Sequence, residues 1–140
     1  MCARGCSEES LQRVRRKSKP ICVWKVLTHK GENLFSRVGL PLCKYGPGTI
    51  SAKGTSSTTK YNLDAPRGLH VYRHKRTAVE WESVCENDVV VRAYVDPQDV
   101  IAVEPYDEPR AQLVACRLTI RPEDWKAAGL PPRATRRRYA

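Results

Sequence analysis

The stretch DVVVRAYVDPQDVIAV, residues 88–103, constrains the fold more than any other part of this chain. Over residues 88–95 the apolar positions alternate: Val89, Val91, Ala93 and Val95 share one face, and Val90, Arg92 and Tyr94 share the other. A period of two is the period of a strand with one buried face. DPQD at 96–99 then sets Asp first and Pro second, a turn signature, and VIAVE at 100–104 resumes as a strand. A chain patterned this way has to build a sheet and cover at least one of its faces.

The remaining segments supply the partners. ICVWKVLT (21–28) is rich in β-branched and aromatic residues and predicts a strand, followed by the glycine-centred turn HKGEN. LFSRVGLPL (34–42) predicts a second strand limited by Gly39 and Pro41. Residues 44–62, with three glycines and a Ser/Thr cluster, read as a long loop. GLHVYR (68–73) predicts a strand, with Leu69 and Val71 facing the core and His70 and Tyr72 on a half-buried outer face. RTAVEWESVCE (76–86) fits a short amphipathic helix, with Thr77 as N-cap and Glu80 completing a capping box. AQLVACRLTI (111–120) reads as one long strand, and RPEDWKAAGL as a closing helix with Pro122 in its first turn and Gly129 as its stop. The expected fold class is α+β: a small mixed, mainly antiparallel sheet of about six strands with two or three short helices and basic flexible tails.

The expected organisation is a basic arm over 1–20, one globular domain over 21–130 and a basic tail over 131–140. In LQRVRRKSK only Leu11 and Val14 are apolar, too few to form a buried helix face. Ser7 is a candidate cap for a short helix with Glu8 and Glu9 in its first turn, and the segment reads as a basic arm that is helical only when bound, with a disordered solvated tail as the alternative. Six cysteines are dispersed at 2, 6, 22, 43, 85 and 116. Cys22, Cys85 and Cys116 lie in apolar runs and are expected as small core residues. The first residues hold no apolar run, and no stretch approaches the roughly 20 apolar residues of a membrane span. These features predict a soluble intracellular protein with reduced thiols, not secreted.

Part of the chain resembles a family. VWKVLT, RGLHVY, VVVRAYVDPQDVIAVEPYD and ACRLTI stand in an order and spacing similar to those of rIIB-like bacteriophage accessory proteins, over residues 23–120. In that family the segment corresponding to 89–104 is a hairpin. A cysteine often precedes the Gly-Leu-His segment there, where this chain has Pro66 and Arg67, so no shared thiol chemistry is expected. The resemblance implies a phage-type or viral accessory domain, in the host cytoplasm, and carries no particular reaction with it.

Charge points to the partner. Lys and Arg number 25 against 15 Asp and Glu, a net charge of +10. Such an excess favours an acidic partner. The clearest cations are Arg13, Arg15, Arg16, Lys17 and Lys19 in the first arm and Arg133, Arg136, Arg137 and Arg138 in the last. Trp24, Tyr45, Tyr61, Tyr72 and Tyr139 are candidates for stacking on bases. No RNP-type aromatic pattern or GXXG loop is present, so recognition would be largely independent of sequence. The expectation is therefore a non-enzymatic accessory protein whose tails engage nucleic acid or another polyanion, with a protein partner as the other possibility.

Two alternatives belong to other classes. One is a structural virion component. The other is an ADP-ribosyltransferase-like, NAD-using enzyme with a site around His70 and Tyr72 and Glu104 as its carboxylate, residue types that could stack on a nicotinamide and stabilise oxocarbenium-like charge. No motif fixes those roles, and no cofactor is expected. A metal is not expected either: zinc sites present ligands as close pairs. Cys2 and Cys6 lie in the arm, and His70 and His74, four apart on a strand, would stand about 13 Å from one another.

Overall fold

The structure is a computed structural model that describes residues 8–31, 33–36, 44–51, 68–82, 84–103 and 112–131. The fold is α+β. Among the described residues eight strands form one sheet: β1 (Ile21–Lys30), β2 (Asn33–Ser36), β3 (Gly48–Ser51), β4 (Leu69–Tyr72), β5 (Asp88–Val95), β6 (Val100–Val103), β7 (Gln112–Ala115) and β8 (Arg117–Ile120). Every pairing is antiparallel. Among the described residues three helices complete it: α1 (Glu8–Arg15), α2 (Lys75–Glu82) and α3 (Pro122–Ala127).

The strands run in the order β3-β8-β5-β1-β4-β7-β6, with β2 added to β1. This order forces the sheet to curl. In a flat sheet β8 and β7 would lie four spacings apart, about 19 Å. Yet Cys116 alone separates Ala115 from Arg117, and two Cα steps reach at most about 7.6 Å. The ends of the path β8-β5-β1-β4-β7 must therefore meet, and the sheet wraps around its main core. That core takes Val23 and Leu27 from β1, Val91, Ala93 and Val95 from β5, and Leu118 and Ile120 from β8.

Several elements differ from the sequence expectation. The segment 111–120 is two strands: β7 serves β4 and β6, while β8 serves β5 and β3. Cys116 marks the break, where its N–H donates to the Asp99 carbonyl at 2.9 Å. Residues 88–103 do not form a hairpin. The Asp96 carboxylate accepts from Gln98 N, and Pro97–Asp99 form a 3-10 turn that carries the chain to β6, on the far edge beside β7. Within the expected loop 44–62, Gly48–Ser51 is a strand, because it pairs with β8. Helix α2 begins at Lys75, so Thr77 lies inside it rather than capping it.

The arm is the largest correction. Residues 8–15 form α1, with Glu8 and Glu9 in its first turn and Arg13 and Arg15 in its last, an order that suits the helix dipole. Two apolar residues suffice to dock it, because Leu11 and Val14, one turn apart, both enter the main core. The cysteine expectation also fails: Cys22 and Cys85 are exposed and Cys116 is only partly buried. Cys22 lies on the outer phase of β1, and Cys85 lies beyond α2, where its N–H donates to Asp88 Oδ2 at 2.8 Å. No helix among the described residues is long and apolar enough to cross a membrane.

Candidate nucleic-acid interface

The outer face of the sheet follows from the register of β1 and β5. Paired residues of an antiparallel ladder point to the same side. Cys22 pairs with Tyr94 and Trp24 with Arg92, so these four share the face opposite the core residues Val23, Ala93 and Val95. Helix α2 covers part of this face: Ala78 packs with Val26 and Tyr72, flanked by Trp24, Val84 and Val90. The uncovered part presents two half-buried rings, Trp24 and Tyr94.

Cations stand over both rings. The Arg121 guanidinium lies 3.8 Å from the Tyr94 centroid. Arg92 and Lys75 lie 5.3 and 5.4 Å from the centroid of Trp24. These distances fall within the reach of cation–π attraction. Arg92 is held above its ordinary pKa, first by a hydrogen bond with Tyr94 and also by the charge of Asp124, against the opposing effect of desolvation. Its Nε lies 3.8 Å from Asp124 Oδ1, an ion pair too long for a hydrogen bond.

The face continues into a basic groove. Arg16, Lys17, Ser18, Lys19 and Pro20 join α1 to β1, and with Ile21 and Cys22 they line a groove of about 570 Å³. Arg16, Lys17 and Lys19 are exposed. The groove ends at Cys22, whose register partner is Tyr94. Phosphate-attracting charge and stackable rings thus share one surface.

The other candidates are placed differently. Arg13 reaches back to Glu9 Oε1 at 3.3 Å, one turn away. Arg15 is used internally: its Nε and Nη2 donate to the Val100 carbonyl at 3.2 and 3.0 Å, while Gln98 Nε2 donates to the Arg15 carbonyl at 2.8 Å. Together these bonds tie α1 to the edge strand β6. Arg133, Arg136, Arg137 and Arg138 lie outside the described residues, as do Tyr61, Tyr139 and Glu104.

His70 and Tyr72 do not form an open outer wall. They are 3% and 1% exposed, because β4 lies between β1 and β7 and is covered on both faces. Tyr45, at 2%, is likewise shut away from bases. Arg92, Tyr94, Arg121 and Lys75 were not legible as site residues. The alternation 90–92–94 puts Arg92 and Tyr94 on one face, but only the register sets them beside Trp24. Among the described residues no three His, Cys, Asp or Glu side chains group as a metal would need. In comparisons with known proteins, no family, no curated protein and no solved structure matches this chain.

Proposed function

We propose that this chain is an accessory protein that binds single-stranded nucleic acid across the surface running from the Arg16–Cys22 groove to Trp24. The observation that carries this reading is the link at Cys22, which lines the groove beside three exposed cations and pairs in register with Tyr94, on the sheet face that also carries Trp24. Phosphates would occupy the groove and release counterions, and bases would stack on the guanidinium planes of Arg121 and Arg92 that lie over the two rings. The net charge of +10 supplies the longer-range attraction. The likeness to rIIB-like bacteriophage accessory proteins supports a phage-type setting, and the reading of the site does not depend on it.

Binding should be sensitive to salt. Titrating a fluorescent oligonucleotide at increasing salt gives the number of phosphates neutralised, at a slope of about −0.7 per phosphate for single strands. Replacing Arg16, Lys17 and Lys19 together by Ala should flatten that slope by about 2. An unchanged slope would rule out the groove, and no binding at low salt would rule out nucleic acid and leave an acidic protein as the partner class.

A further inference from the structure

Between α2 and α3 the outer face closes into a cleft of about 150 Å³. A cavity of about this volume accommodates a benzene ring. Trp24 forms its aromatic wall, and Val90, Ala127 and Ala128 give it apolar sides. Lys75 and Arg92 stand at the Trp24 ring, and Asp124 contributes the one acidic group of the lining among the described residues. That carboxylate has accepting capacity to spare at Oδ1, which meets Arg92 only at 3.8 Å, while Oδ2 is turned into the protein. A ring-sized space, a stackable wall, two cations and an underused acceptor together make a nucleotide subsite.

We propose that this cleft receives one cytosine of the bound strand. The base lies against Trp24, its exocyclic N4 amine donates to Asp124, and Lys75 and Arg92 balance the flanking phosphates. Carboxylates recognise cytosine through that amine. Thymine and uracil carry a carbonyl oxygen at the same position, which would set acceptor against acceptor. Asp124 therefore confers base preference on a surface whose groove contacts carry none.

The inference rests on the nucleic-acid reading, and the test separates the two. Oligo-dC and oligo-dT of equal length are titrated against the full chain, wild type and Asp124→Asn, by fluorescence anisotropy. The wild type should favour oligo-dC by about tenfold, the ratio that about 1.4 kcal/mol of base discrimination gives. Asp124→Asn should lose or invert that preference, because its amide offers donors to the thymine carbonyl. In the wild type, oligo-dC should also shift the indole N–H resonance of Trp24, which needs no variant to fold. Equal binding of both oligonucleotides, a preference that survives Asp124→Asn, or a Trp24 resonance that stays in place at saturation each overturns the cytosine subsite and leaves the broader function standing. Absence of binding to either oligonucleotide overturns both.

Discussion

Arg15 donates two hydrogen bonds to the Val100 carbonyl, whereas Arg16, the next residue, is exposed along the basic groove. The two should respond to substitution in opposite ways. Arg15→Ala removes a charge-assisted pair of bonds from a partly buried site and should lower stability by about 2 kcal/mol in urea denaturation, with little change in oligonucleotide affinity. Arg16→Ala should leave stability within about 0.5 kcal/mol and weaken binding at low salt. In the sequence both belong to one basic run, because the acceptor that distinguishes them lies 85 residues away. Gly68 is a second residue whose role comes from packing. A Cβ there would come 2.8 Å from Val114 Cγ1 and 2.9 Å from the backbone oxygen of Ala115. Because the second neighbour is backbone, Gly68→Ala should destabilise by about 1–3 kcal/mol in the same measurement. Lys25 is a third: its place between Val23 and Leu27 puts it on the core side of β1, where its ammonium donates to the His70 carbonyl at 2.8 Å.

Among the elements, β5 was fully legible, since its alternation gave both its limits and its two faces. What periodicity could not give was the choice of partner. The run 111–120 keeps one continuous apolar pattern, yet its halves pair with different strands, and the break at Cys116 is set by closure of the sheet. Similarly, the 96–99 turn signature marked where β5 ends but not the distant edge to which β6 goes. A short helix with Glu8 and Glu9 in its first turn was legible, but its docking into the core was missed for an energetic reason. Two apolar side chains make a weak amphipathic signal, yet Val14 is fully buried and Leu11 nearly so. Val14→Ala removes two methyl groups from that seat and should cost about 2 kcal/mol, at roughly 0.8 kcal/mol per group plus a cavity term. Urea denaturation checks the magnitude. Hydrogen exchange in the α1 amides checks the cause, since docking predicts protection in the wild type that the variant loses. A free arm would show neither effect.

At the scale of the whole molecule, the curled sheet joins stability to the candidate interface. Closure of β8-β5-β1-β4-β7 fixes the inner core, and the same register arranges Cys22, Tyr94, Trp24 and Arg92 on the outside. Helix α1 takes part in both. Its apolar side enters the main core, Arg15 ties it to β6, and the connector that follows it forms the basic groove. Deleting residues 1–20 therefore should not act as the removal of a charged tail. It takes away Leu11, Val14 and the Arg15 bonds together, and it opens apolar surface around Val100 and Val103 that α1 now shares a core with. The truncated chain should lose more stability than Val14→Ala alone, and its denaturant m-value should fall because less surface is exposed on unfolding. If the segment were only an arm, the midpoint and m-value would both stay at the full-length values while salt-dependent binding weakened. Comparing the truncation with Arg16, Lys17 and Lys19 replaced together then separates the two roles: the triple variant should weaken binding without moving the midpoint, and the truncation should do both.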